Sequence, residues 1–106
     1  MSYRFMRLIV MFDLPTLTFA DQKNYRKFRK FLLGLGFFMF QESIYVRMVL
    51  NGTIESSVRA AIEKEIPSGG CVAILSVTEK QFSNMSFATN GVNMKMLSSD
   101  KRVVII

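Results

Sequence analysis

Histidine is absent from the 106-residue sequence, and Cys71 is its only cysteine. Without histidine the chain has no Ser-His or Cys-His nucleophile pair, no histidine acid–base group and no histidine metal ligand. A single cysteine also excludes an internal disulfide and a cysteine-based metal site. Because Cys71 begins the apolar run CVAIL, it is interpreted as a small buried hydrophobic residue. Any catalysis must therefore rest on carboxylates, lysines, hydroxyls or a bound metal.

Long apolar runs are absent as well. The run at 8–12 leads into Asp13-Leu14-Pro15 without a small-residue cleavage site, so it does not resemble a signal peptide. No stretch approaches the roughly 18 residues that a membrane span needs. These features predict a cytoplasmic protein that does not enter a membrane.

Hydrophobic residues and positive charge are both abundant. Half of the residues are hydrophobic, including ten Phe and eight Met, which exceeds what one small core requires. The formal net charge of +6 indicates an anionic partner, nucleic acid being the commonest. Solubility alone is the alternative explanation of the charge. A chain of this length predicts one domain.

The periodicity of apolar residues predicts an α+β, ferredoxin-like β-α-β-β-α-β fold with an additional C-terminal strand. A capping box at Thr18-Asp21 begins the first helix, and Gly34 and Gly36 end it near Leu35. The other elements are strands at 4–13, 37–43, 44–50, 71–78 and 101–106 and a helix at 53–66. We expect a domain at 1–80 and an extension at 81–106.

Apolar residues occupy both the odd and the even positions of the first strand, which suits a strand covered on both faces. Two helices cover only one face of such a sheet. If Leu8, Val10 and Phe12 point towards the helices, the opposite face carries Arg7, Ile9 and Met11. That face is too apolar for water, so a second copy of the chain, packed sheet to sheet, is the economical cover.

The first helix carries five positive charges in the eight residues 23–30. Four of them fall within an arc of about 100° opposite the apolar stripe, and we call these four the basic ridge: Lys23, Arg26, Lys27 and Lys30. Such a ridge can contact phosphates without distinguishing bases. A solvated outer face is the alternative. Arg29 borders the buried stripe, where a structural partner is expected.

Asp13 is the candidate metal-binding and catalytic residue. Within one chain it has no acidic neighbour in sequence, and one carboxylate holds Mg²⁺ poorly because the ion prefers an octahedral oxygen shell. A turn residue ahead of Pro15 is therefore the favoured interpretation from a single chain. Two Asp13 residues facing each other across a dimer axis would change that conclusion.

Five segments together resemble the small CRISPR-associated adaptation protein family, Cas two, in the form found in type II-A systems of Gram-positive bacteria. They are MFDLP, YRKFRKFLLGLGF, QESIY, VTEKQF and DKRVVII, and they span nearly the whole chain in the family's order. The arginines that follow the aspartate in many relatives are replaced here by Leu14-Pro15-Thr16-Leu17. That departure moves the expected phosphate contact to the first helix.

The resemblance implies a ferredoxin-like homodimer in which the strand at 101–106 adds to the partner's sheet. It implies a subunit of spacer acquisition that bridges two dimers of the CRISPR integrase subunit and holds double-stranded DNA. It also implies Mg²⁺ bound across the dimer by Asp13, the position that matches the family's metal-binding aspartate. A DNA-binding scaffold is thus the first hypothesis. A Mg²⁺-dependent endonuclease acting on DNA or RNA is the second, and an RNA-binding or toxin-type ribonuclease is the third.

Overall fold

The computed structural model describes residues 5–90, which form one antiparallel sheet with helices packed against it. The elements are β1 (Met6–Asp13), α1 (Phe19–Gly34), β2 (Phe38–Gln41), β3 (Ile44–Val49), α2 (Gly52–Glu63), β4 (Cys71–Thr78) and α3 (Glu79–Ser83). The strand order β2-β3-β1-β4 confirms the predicted α+β, ferredoxin-like arrangement. The predicted strand at 101–106 lies outside the described residues.

β1 is a central strand because it pairs with two neighbours along its length. It is antiparallel to β3 from Met6–Val49 to Met11–Ile44, and antiparallel to β4 from Met6–Thr78 to Asp13–Cys71. Its side chains alternate between the two faces of the sheet, as the strand period requires. The strand therefore contributes apolar residues to two separate clusters.

The predicted capping box begins α1. The Asp21 amide donates to Thr18 Oγ1 over 3.0 Å, and the Thr18 amide donates to an Asp21 carboxylate oxygen over 3.2 Å. Leu35 closes the helix, and Gly36 follows with a φ of 96°, a conformation that glycine adopts readily. The polypeptide turns there into β2, which forms a hairpin with β3.

The face of the sheet beneath α1 and α2, the helical face, holds the larger core cluster. Leu8, Val10 and Phe12 point into it, as predicted. The apolar stripe of α1 and the inner face of α2 cover them, and the buried members from these helices are Phe28, Leu32, Val58 and Ile62. Phe12 lies edge-on to Phe28, with ring centroids 5.2 Å apart.

The opposite face, the open face, is covered only in part. Ile9, Phe40 and Val46 are buried there, beneath three half-buried side chains that follow β4, namely Phe82, Met85 and Phe87. Part of the cover therefore comes from the chain itself. An apolar groove of about 410 Å³ remains along the sheet, lined among others by Met11, Ile44 and Leu75.

Helix α3 was not predicted from the sequence. It begins with a capping box in which the Gln81 amide donates to Thr78 Oγ1 over 3.0 Å and the Thr78 amide donates to Gln81 Oε1 over 2.9 Å. Arg7 fixes it to the open face, because its guanidinium donates to both Glu79 carboxylate oxygens over 2.8 and 3.0 Å. None of the helices within 5–90 has the length and apolar character that crossing a membrane requires.

The interpretation of Cys71 as buried is wrong. Cys71 is exposed because it is the first residue of β4, an edge strand, and projects from the open face beside Asp13. Its apolar neighbours in sequence indicated a strand correctly. They did not indicate which end of that strand the rest of the protein leaves uncovered.

Candidate nucleic-acid interface and strand-end carboxylate

The basic ridge lies on the solvent side of α1. All four of its side chains are exposed, while Phe28 and Leu32 on the other side of the helix are buried. The ridge extends over roughly 10 Å, at 1.5 Å per helical residue. One strand of B-DNA carries a phosphate about every 3.4 Å of helix axis, so that length corresponds to about three phosphates.

The ridge cations are not neutralised within the part of the chain that the structure describes. The ion pairs found in residues 5–90 join Arg7 to Glu79 and Arg59 to Glu55, and neither involves the ridge. Asp21 is the acidic residue at the start of α1, but its carboxylate is engaged in the capping box. Within residues 5–90, the positive charge of the ridge is therefore available to an anionic ligand.

Arg29 does not belong to the ridge. Burial raises the pKa of the Tyr45 phenol above its usual value, and the charge and hydrogen bond of the neighbouring Arg29 offset part of that rise. Tyr45 lies in the core of the helical face, so Arg29 reaches back towards the sheet. This agrees with the expectation that Arg29 has a structural partner.

A second cation lies near the ridge that sequence reasoning did not identify. Lys27 and Lys64 line the same cleft of about 280 Å³, between α1 and the segment at 64–68. Glu65 lines it too, so the cleft is not purely positive. The two lysines are 37 positions apart in sequence. Only the packing of α1 near the end of α2 brings them together, and no local pattern carries that information.

Asp13 is exposed at the end of β1. It lies two and four positions after Met11 and Ile9, so its side chain is on the same side of the sheet, the open face. Its neighbour on β4 is Cys71. The basic ridge lies on the far side of α1, so the structure does not bring Asp13 and the ridge together. They are two separate candidate sites on opposite sides of the protein.

The described residues of one chain supply a poor metal site at Asp13. Within residues 5–90 no group of three or more His, Cys, Asp or Glu side chains is close enough to hold a metal ion. Mg²⁺ is usually bound by one or two carboxylates together with water and substrate oxygens. Asp13 supplies one carboxylate at this strand end.

Comparison with known proteins gives a consistent result over most of the chain. A family model described as "CRISPR associated protein Cas2" matches residues 6–85. A protein of Streptococcus mutans serotype c is 42% identical over 101 residues, which cover 95% of this chain and 93% of that protein. Relatives from Treponema denticola and Ligilactobacillus salivarius are 43% and 41% identical over 101 residues, covering 95% of this chain and 100% of each relative. All three bear the name "CRISPR-associated endoribonuclease Cas2".

Proposed function

The chain belongs to the CRISPR associated protein Cas2 family, and we propose that it is a nucleic-acid-binding subunit of CRISPR adaptation. In this role a homodimer holds double-stranded DNA and bridges subunits of the integrase during spacer acquisition. The observation that carries the proposal is the basic ridge, in which four exposed cations occupy one face of α1. The chemistry of strand transfer would then belong to the integrase.

The ridge binds through electrostatics rather than base recognition. Lysine and arginine side chains that neutralise phosphates release counterions from the nucleic acid, and this release drives binding of any sequence. A helix holds the four cations on a fixed framework, because residues three and four apart lie next to each other on its surface. Such an interaction suits a protein that must accept DNA fragments of any origin.

The open face supports the dimeric part of the proposal. Its groove exposes apolar side chains, including Leu75 on the edge strand β4. A second copy docked there would bury these side chains and would leave both basic ridges on the outer surfaces of the dimer. Large exposed apolar patches commonly mark such interfaces.

The test is the salt dependence of duplex binding. Removing one cation that neutralises a phosphate should reduce the slope of log K against log salt concentration by about 0.9. Lys30→Gln and Lys23→Gln should each lower the affinity and show this change of slope, and the double variant should show about twice the change. Lys80→Gln is the matched control, because Lys80 is exposed on α3. An unchanged slope in the double variant would remove the ridge from the proposal.

A second function is favoured by the position of Asp13. The carboxylate ends β1 on the open face, where a second copy would place its own Asp13 within the same interface. The two carboxylates would then hold Mg²⁺, which when bound activates water for hydrolysis of a phosphodiester. The relatives' name, endoribonuclease, is in accord with this activity.

The nuclease function is tested with Asp13→Asn. The variant should lose Mg²⁺-dependent cleavage of RNA or DNA and keep its oligomeric state, measured by light scattering. Glu63→Gln, which neutralises an exposed carboxylate at the end of α2, should cleave normally. Equal cleavage by Asp13→Asn would reject Asp13 as the catalytic residue. A preference for single-stranded RNA over duplex DNA would favour a ribonuclease on this fold over the adaptation subunit.

A further inference from the structure

Phe19 is the first residue of α1, and its side chain is 88% exposed. Leu17, two residues earlier, is 91% exposed. Neither residue belongs to the two core clusters of the described region, and Phe19 makes no aromatic contact there. Within residues 5–90, the solvent-exposed Phe19 ring therefore has no role in packing the core.

Phe19 lies on the same face of α1 as the basic ridge. Lys23, Arg26 and Lys30 follow it at spacings of four, seven and eleven, which at 100° per residue keeps all of them within about 60° of arc. Asp21 falls on the opposite side and does not interrupt the series. The exposed ring therefore begins a row of side chains along α1, and the side chains that follow it in this row are cations.

The start of the helix fixes the backbone that carries the ring. Thr18 and Asp21 form the capping box around it, so the backbone of Phe19 is fixed at the first helical position. One helical turn, about 5–6 Å, separates Phe19 from Lys23. A nucleotide whose phosphate contacts Lys23 would bring its base within reach of the ring.

We propose that Phe19 is a stacking platform for an unpaired nucleobase in the tail or at the frayed end of a nucleic acid bound on the basic ridge. The inference rests on the proposed function and adds a ligand class to it. Aromatic side chains bind bases of any identity through their π-faces, beside a positive groove that follows the backbone. Bases inside a duplex are covered on both sides, so a ring on a convex helix reaches only unpaired ones.

The cations around Phe19 favour a nucleobase over a protein partner. The core of a protein–protein interface is depleted of lysine, because burying a charge without a partner is costly. Phe19 is the only large apolar side chain along the series that ends at Lys30, so a protein docked on the ring would cover the ridge as well. Nucleic acid is the ligand that satisfies the ring and the cations together.

The experiment compares two DNAs that share one duplex, one fully paired and one with a single-stranded tail carrying 2-aminopurine next to the junction. Phe19→Ala should weaken binding of the tailed DNA by about 5- to 100-fold and change binding of the paired DNA by less than about twofold. The quenching of 2-aminopurine by the protein should be lost. The salt slope should be unchanged, because the substitution removes no cation.

Two further variants separate stacking from damage to the protein. Phe19→Tyr keeps an aromatic ring and should retain the preference for the tailed DNA. Phe5→Ala removes another exposed phenyl ring, which is 51% accessible. Phe5 lies just ahead of β1, at the end of the sheet away from the first turn of α1, so this variant should bind both DNAs normally. Thermal unfolding should be nearly the same for Phe19→Ala as for the unaltered chain.

Wild-type binding of the tailed DNA by Phe19→Ala, or an equal loss on both DNAs, would overturn the stacking assignment while leaving the ridge proposal standing. The assignment would also be overturned if the chain binds a protein through Phe19. In that case Phe19→Ala would lose the protein partner and would still bind both DNAs. If the unaltered chain binds neither DNA, the proposed function fails together with this inference. Failure of the ridge is recognised separately, from the salt slopes of the lysine variants.

Discussion

The two faces of the sheet differ in how completely one chain can bury them. On the helical face, α1 and α2 cover the strands, and side chains such as Leu8, Val10 and Val49 are 0% exposed. On the open face, α3 and the residues after it cover Ile9 and Val46 but leave Leu75 48% exposed beside the groove. Both faces are built on the same central strand.

The difference separates the residues that fold the chain from those free to interact. The helical face is a finished core, so its residues contribute stability within one copy. The open face is partly covered by α3, and it retains exposed apolar surface that a second copy would bury. Asp13 lies on the open face. The basic ridge lies on the outer side of α1, one of the two helices that cover the helical face.

The largest effect expected is from truncation of the helical face. Leu8→Ala should lower the free energy of unfolding by about 2–5 kcal/mol, because a fully buried leucine leaves a cavity in a close-packed core. Leu75→Ala is the matched substitution on the open face and should cost less than about 1 kcal/mol. Urea unfolding at a concentration where the protein is monomeric measures both.

At high protein concentration the same two variants differ in a second property. If a second copy covers the open face, Leu75→Ala should shift the monomer–dimer equilibrium towards the monomer in sedimentation experiments. Leu8→Ala should leave that equilibrium nearly unchanged wherever the variant is still folded. Equal losses of unfolding free energy in the two variants would contradict the distinction between a finished and an unfinished face.

The same distinction explains how far the sequence could predict the structure. The helical face was predictable because Tyr25, Phe28 and Leu32 recur at helical spacing above a strand whose side chains point alternately to the two faces of the sheet. The exposure of the ridge followed from the same arithmetic. The Thr18-Asp21 cap was confirmed because it is a local contact between residues three apart. The fold class was confirmed because the order of strands and helices along the chain is typical of one known arrangement.

What the sequence did not predict depends on tertiary packing. The cover supplied by Phe82 and Phe87 comes from a short helix and an irregular segment, in which no period is long enough to detect. The capping residues Thr78 and Gln81 were the one local signal for α3. The exposure of Cys71 and the shared cleft of Lys27 and Lys64 depend on which elements become neighbours. The roles of Asp13 and the ridge stay predictions.

A smaller effect is expected where α3 is fixed to the open face. Arg7 binds Glu79 through two hydrogen bonds and lies over the Phe82 ring, 4.5 Å from its centroid. Glu79→Gln should cost about 1 kcal/mol or less, because the pair is partly solvated. Its local effect should be larger: amide hydrogen exchange should accelerate in α3 and leave α2 unchanged.

The Arg59–Glu55 pair on α2 provides the control. It is an i, i+4 pair within one helix, with a distance of 3.1 Å between Arg59 Nη2 and Glu55 Oε2. Glu55→Gln should cost roughly 0.3–0.5 kcal/mol and should not affect exchange in α3. Faster exchange in both helices after Glu79→Gln would mean that α3 is not an independent cover of the open face.

The smallest effect should appear only at alkaline pH, and it concerns the helical face. Burial raises the pKa of the Tyr45 phenol above its usual value of 10.0, and Arg29 offsets part of this rise. The folded chain therefore holds the phenolic proton more tightly than the unfolded chain does. Below pH 10 the phenol is protonated in both states and contributes no pH dependence. As the pH rises through 10 towards the folded-state pKa, the unfolded chain ionises first, and stability is lost.

Tyr45→Phe removes this titration, because phenylalanine has no proton to release. At neutral pH the variant should be slightly less stable than the unaltered chain, since it cannot form the hydrogen bond with Arg29. That deficit should shrink between pH 9 and pH 11 as the unaltered chain loses stability, which parallel urea titrations measure. Tyr25→Phe, which removes the hydroxyl that lies 3.3 Å from Ser43 Oγ, should retain the alkaline loss caused by Tyr45. A deficit of Tyr45→Phe that stays constant to pH 11 would show that the phenol titrates alike in the folded and unfolded chains, and the helical face would then be less completely closed to water than its packing indicates.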